Sequence, residues 1–188
     1  MPPKAKLTKE QIAERALDII RRDGYGMLNA RSLAAECGTS TMPLFHYYEN
    51  MDEIRRAAVA LGVELYSRYI DEGMREEMPF KGVGKAYIRF AREEPQLFRA
   101  FFMMPSADVA GLSETDPNHA RVHDIVTVSL NGDAEGAECL FRDMWIYVHG
   151  IATLAVTGKT LFSDEDISRM ISHVFASLRS HIMEEENE

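Results

Sequence analysis

Residues 29–54 read NARSLAAECGTSTMPLFHYYENMDEI. Asn29 suits a helix N-cap, because its side-chain oxygen can accept from backbone N–H groups left free in a first turn. Leu33, Ala34 and Cys37 give the segment after it a small apolar face, and Gly38 breaks it. Ser40 can cap a further helix running to about Tyr47. Leu44 and Tyr48 would face inward, leaving Thr41, Met42, Pro43 and His46 outward. Pro43 falls in that helix's first turn, where a missing N–H is tolerated. Two short helices joined by a tight turn, the second crowded with hydroxyl and aromatic side chains, have the layout of a helix-turn-helix. In that motif the second helix enters the major groove of DNA.

Upstream, Thr8 and Gln11 form a capping-box pattern. Ile12, Ala16, Ile19 and Ile20 then recur at helical spacing. Gly24 follows as a left-handed C-terminal cap, and Gly26 keeps the connection loose. Downstream, a helix is expected from Met51 to about Glu77, with Asp52 and Glu53 in its first turn. Two more helices occupy Phe80 to Met104, interrupted at Pro95, and residues 105–117 read as a small, polar loop. His119–Leu130 and the apolar Ala134–Thr157 follow, with a turn at Asn131-Gly132-Asp133 between them. Gly158 ends the second of these. Ser163 caps a final helix with the stripe Ile167, Ile171, Val174, Leu178 and Ile182. No strand pattern or internal repeat interrupts this all-α reading. A three-helix head over 1–50 precedes a helical body over 51–188.

The composition bounds the function. Hydrophobic residues make up 46% of the 188 residues, enough for a packed core. No apolar run reaches the roughly 20 residues of a membrane span, and the N-terminus lacks a signal peptide's apolar stretch. Two cysteines, Cys37 and Cys139, fit a reducing, cytoplasmic setting better than a disulfide framework. The net charge is −9, yet residues 1–48 carry seven basic and five acidic side chains. A mildly basic head on an acidic body is a weak form of the asymmetry expected of a nucleic-acid binder.

Over residues 8–54 the chain resembles the TetR family of transcriptional regulators. The resemblance rests on Asn29, Arg31, Leu33-Ala34, Cys37-Gly38, Ser40, Leu44-Phe45, Tyr47-Tyr48 and Met51-Asp52-Glu53-Ile54. In the body, AYIRFAREEPQLFRAFF (86–102) and WIYVHGIATL (145–154) resemble the C-terminal domain named WHG, here on Trp145, His149 and Gly150. The resemblance implies a DNA-contacting set of Lys6, Asn29, Arg31, Ser40, Thr41, Met42, Pro43, His46 and Tyr47. His46 and Thr41 can hydrogen-bond base edges, and Met42 and Pro43 can touch a thymine methyl. Arg31 and the lysines Lys4, Lys6 and Lys9 would position the head on the backbone. Two positions depart from the family pattern: Phe45 stands for its usual Tyr and Met51 for its usual Lys. Each lost phosphate contact weakens binding and flattens its salt dependence.

The body is rich in aromatic and methionine side chains, a composition suited to an adaptable binding surface. The ligand set read from it is Tyr66, Tyr87, Phe98, Phe102, Met103, Trp145 and His149, beside Phe101, Met104 and Tyr147. For each of them taken alone, core packing at helical spacing is the better account. His149, on a nearly all-apolar helix, suits a structural hydrogen bond. His119 and His123 share a helix face near Asp116 and Asp124, but two histidines supply only half the ligands of a four-coordinate zinc. No metal or cofactor is expected, and no nucleophile elbow or carboxylate pair points to an enzyme.

The sequence therefore reads as a homodimeric repressor released from operator DNA by a small, apolar or aromatic effector. Ala134–Thr157 and Asp164–Met183 would pair with their copies, as in the family. Two other readings use the same residues: a constitutive dimer without effector, and a helical protein-interaction module that no longer binds DNA.

Overall fold

The computed structural model describes residues 7–104, 116–160 and 162–185; Lys4, Lys6 and most of the expected 105–117 loop lie outside them. The described chain is all helical, with α1 Lys9–Asp23, α2 Ala30–Glu36, α3 Met51–Met74, α4 Pro79–Glu93, α5 Pro95–Phe102, α6 His119–Ser129, α7 Ala134–Val156 and α8 Asp164–Glu185. None of these helices is long and apolar enough to cross a membrane. The helices group into two compact units, one from Met1–Leu65 with Glu94–Ser113, the other from Tyr66–Glu93 with Glu114–Glu188. The division falls inside α3, and α5 joins the first unit, although the sequence pattern groups both helices with the body.

The helix starts follow from local chemistry. Thr8 Oγ1 accepts from the Gln11 N–H at 3.2 Å while Gln11 Oε1 accepts from the Thr8 N–H at 3.1 Å, closing the expected capping box. Asn29 Oδ1 accepts from the N–H groups of Arg31 and Ser32, and Ser32 Oγ accepts from the Asn29 N–H, a second box. Asp133 caps α7 through the Glu135 N–H, and Ser163 Oγ accepts from the Asp166 N–H at the start of α8. Gly24 ends α1 with φ +96°, but ψ 160° places it outside the left-handed helical region, in a positive-φ conformation that favours glycine. Gly26 lies inside a short 3-10 turn, Tyr25–Met27.

In the first unit, Ile12, Ala16, Ile19 and Ile20 of α1 are buried with Leu33, Leu44, Ile54 and Ala58. Helix α5 packs on α1 and adds Leu97, Phe98 and Phe101. Each such side chain contributes roughly 1.5–3 kcal/mol by leaving water. Gly62 lets α3 approach this cluster, because a Cβ there would sit 2.7 Å from Phe101 Cζ. Arg21 of α1 clamps Glu94, the residue before α5. Its Nε donates to Oε2 at 2.8 Å and its Nη2 donates to Oε1.

In the second unit, α4 packs on α7 and α8, and α6 packs on α7. Two glycines bring α3 against α4, since a Cβ on Gly82 would lie 2.1 Å from the Gly73 carbonyl oxygen. Asn131 and Gly132 both take positive φ in the turn between α6 and α7.

Candidate nucleic-acid interface and ligand cavity

The recognition element differs from the expected helix. Met42–His46 form one 3-10 turn, preceded by Thr41 with no side-chain cap, and Ser40 is exposed and caps nothing. Pro43 has no N–H to give, and bonds across three residues, Leu44 N–H to the Thr41 carbonyl and Tyr47 N–H to the Leu44 carbonyl, define the turn, with one bond across four, Tyr48 N–H to the Leu44 carbonyl, at its end. Tertiary anchoring holds the turn instead. Leu44 is fully buried, and Tyr48 sends its hydroxyl to the Lys9 carbonyl at 2.9 Å. Thr41, Met42 and His46 are exposed and Leu44 and Tyr48 buried, as the sequence predicts, but Pro43, expected outward, is half-buried, as is Tyr47. Phe45, at 40% exposure, adds an apolar contact surface beside Met42 at 70%.

The charges around the turn are divided. Arg31 is exposed and has no ion-pair partner among the described residues, leaving its guanidinium available to a phosphate. Lys9 is the first residue of α1 rather than part of an arm. Its ammonium pairs with Glu53 at 2.9 Å and lies 4.6 Å over the Tyr48 ring. Glu53 also accepts from the Glu49 N–H, and these bonds hold its carboxyl below the usual range. Asn29 is occupied as the cap of α2, its Nδ2 donating to the Met27 carbonyl.

The second unit encloses a narrow cleft with about 560 Å³ of empty space, its open mouth included. Tyr66 and Ile70 of α3, Phe80, Val83, Gly84 and Tyr87 of α4, and Ile171 of α8 line one part. Asp116, His119 and Val122 at the start of α6, with Phe141, Met144, Trp145 and Val148 of α7, line the rest. Gly84 keeps the cleft's base tight, because a Cβ there would meet Ile171 Cδ1 at 3.2 Å. Tyr66 donates its hydroxyl to Asp116 Oδ2 at 2.8 Å. The Tyr87 hydroxyl and His149 Nδ1 share a bond at 2.9 Å, and the His149 ring stacks on Trp145 at 5.0 Å. Burial lowers the His149 pKa, so at neutral pH its ring is uncharged. Burial, and the nearby Asp116 charge after it, raises those of Tyr66 and Tyr87, keeping both hydroxyls protonated.

Of the ligand set read from the sequence, Tyr66, Tyr87 and Trp145 line the cleft. His149 stands behind Tyr87 as a hydrogen-bond partner. Phe98, Phe102 and Met103 are not in the cleft's wall. They belong to the first unit, where Phe98 is core, Phe102 is half-buried and Met103 is exposed. Asp116, Phe80, Phe141 and Met144 line the cleft without standing in that set. His119 and Asp116 are noticed in the sequence as metal candidates. In the structure His119 sets its ring edge-on to Phe141 at 4.6 Å.

Residues 80–178, more than half of the chain, match a family model described as "Tetracyclin repressor-like, C-terminal domain". The chain belongs to the TetR family. TetR-family members are transcriptional regulators, and the match covers most of the cleft. The chain is 27% identical over 164 residues to an uncharacterised HTH-type transcriptional regulator of Mycobacterium tuberculosis, Rv0681, spanning 82% of this chain and 72% of that one. Its fold resembles SCO1917, a TetR family member from Streptomyces coelicolor A3 (TM-score 0.58, 17% identity, 89% of this chain and 98% of that one). It also resembles AibR, solved with isovaleryl coenzyme A and operator DNA (TM-score 0.57, 14% identity, 89% and 98%).

Proposed function

We propose that this TetR-family regulator is a cytoplasmic, non-enzymatic, homodimeric repressor that leaves its operator when a small molecule enters the cleft of the second unit. The observation that carries the reading is the pairing of a reading surface with an aromatic-lined cleft in one chain. Thr41, Met42 and His46 are held outward by buried Leu44 and Tyr48, and the cleft is lined mainly by apolar and aromatic groups. His46 and Thr41 read base edges, while Arg31, Tyr47 and Lys6 position the head on phosphates. AibR, with both a ligand and operator DNA, is a fold relative in which the two kinds of partner occur together.

Dimerisation uses α7 and α8. Ile146 (57% exposed), Gly150 and Leu154 (36%) repeat at four-residue spacing on α7, and a Cβ on Gly150 would meet nothing within 4 Å. A second copy supplies the missing cover. Two heads so joined would meet major grooves about 34–36 Å apart on a roughly palindromic site. The effector acts only through different affinities for the two head spacings. Trp145, His149 and Gly150 support placing the chain in the WHG subgroup.

The test is binding to the DNA upstream of the protein's own gene, by fluorescence anisotropy at several salt concentrations. Tight binding at low salt, weakening steeply as salt rises, is expected. Absence of binding at low salt would sink the repressor reading. It would favour the interaction module, to which the exposed Met27, Met42 and Phe45 also suit the head.

A further inference from the structure

One carboxylate breaks the apolar lining of the cleft, and its surroundings define what can enter. Asp116 Oδ2 accepts from the Tyr66 hydroxyl at 2.8 Å. Its Oδ1 accepts from the Asn118 N–H at 2.8 Å and from Asn118 Nδ2 at 3.1 Å. Three donors hold the group in place, and all three are neutral. Among the described residues no lysine, arginine or histidine makes an ion pair with Asp116. Arg121, one turn along α6, gives its Nη1 to Asn118 Oδ1 and its Nη2 to Asp71 at 2.7 Å instead. The other titratable groups at the cleft are Tyr66, Tyr87 and His119, with His149 behind Tyr87. His149 is uncharged at neutral pH and both phenols stay protonated. A fixed negative charge thus faces a space walled by the rings of Tyr66, Phe80, Tyr87, Phe141 and Trp145.

That combination discriminates by charge. An apolar molecule filling the mouth would strip water from a carboxylate that has no counter-charge among the described residues, which is costly. An anion would add repulsion at low dielectric. A cation restores the lost solvation, and aromatic faces attract it further. We propose that the cleft selects lipophilic monocations, aromatic or alkyl amines and quaternary ammonium compounds, with the charge at Asp116 and the apolar body among Phe80, Phe141 and Trp145. This rests on the reading of the cleft as a ligand site and sharpens the apolar or aromatic effector expected from the sequence.

Trp145 is the chain's one tryptophan and lines the cleft, so its fluorescence reports occupancy. The full-length protein is titrated with three probes of one length, 4-phenylbutylammonium, 4-phenylbutanol and 4-phenylbutyrate. The ammonium is expected to bind about tenfold tighter than the alcohol, with the carboxylate weakest. Asp116→Asn should remove that ratio, weakening the ammonium while the alcohol binds at least as tightly as before, because no carboxylate is then desolvated. Equal binding of ammonium and alcohol by the natural protein, or tightest binding of the carboxylate, overturns the inference without needing any variant. So does an unchanged ratio in a folded Asp116→Asn protein. Silence of Trp145 toward all three probes overturns both this inference and the ligand-site reading beneath it. Charge-selective binding that leaves the operator complex intact supports the inference and removes only the effector role.

Discussion

Leu44 and Tyr48 in the first unit do opposite work from Tyr66 and Tyr87 in the second. Leu44 fills its site completely, and Tyr48 hands its hydroxyl to a backbone carbonyl, so the turn that displays Thr41, Met42 and His46 has a closed floor. Tyr66 and Tyr87 are nearly as buried, but their rings border a cleft and their hydroxyls go to Asp116 and His149. One core is finished by its own side chains. The other stops short and leaves a polar group at the edge of the gap. A short reading turn depends on a rigid base, because Pro43 and 3-10 bonding give it little stability of its own. A ligand site depends on room and on a group for the ligand to satisfy.

The contrast between the two cores predicts a graded set of responses. Leu44→Ala opens a hole in the closed core and should cost about 4 kcal/mol, with loss of operator binding. Met144→Ala, at the wall of an existing cleft, should cost only about 2 kcal/mol. Urea denaturation of both variants measures this, and a larger loss for Met144→Ala would erase the distinction between the cores. Tyr48→Phe should cost about 1 kcal/mol, the net worth of one hydrogen bond, seen as a lower urea midpoint.

A pH series tests the polar edge of the cleft. Burial sets the folded pKa of His149 below its unfolded value of about 6.5, so below that pH the unfolded chain binds the proton more readily. Its effect is absent well above pH 6.5, and stability is lost as pH falls through 6.5 toward the folded value. His149→Gln should flatten that part of the urea-midpoint profile relative to the natural protein. Coincident profiles would mean that His149 is as readily protonated folded as unfolded.

The smallest effects belong to the reading surface. Arg31→Ala should weaken all DNA sequences alike and reduce the salt slope by about one. His46→Ala should instead alter sequence preference, by about 1 kcal/mol at one base pair. If a panel of operator variants responded uniformly to both, His46 would be a backbone contact.

The parts of the fold set by neighbouring residues were readable in advance. Thr8 with Gln11, Asn29, and Ser163 begin helices because a side-chain oxygen sits within three residues of a free N–H. The inward Leu44 and Tyr48 and outward Thr41, Met42 and His46 followed from helical spacing, even though the element is a 3-10 turn. Identical side-chain chemistry made Phe98 and Tyr87 look like members of one aromatic set. They belong to different compact units, because α5 packs on α1 and is clamped there through Arg21 and Glu94.

From the sequence alone came an all-helical chain, a helix-turn-helix head, the outward reading residues and the TetR resemblance. These rest on caps, spacing and short motifs, which are local. Only the tertiary structure decided that the recognition element is a single anchored turn. It also decided that Lys9 is tied to Glu53 and Tyr48, and that Asp116 stands among the aromatic side chains of three helices with no ion-pair partner among the described residues. Those facts depend on residues far apart in the chain meeting in space, and no spacing along the chain encodes which of them meet.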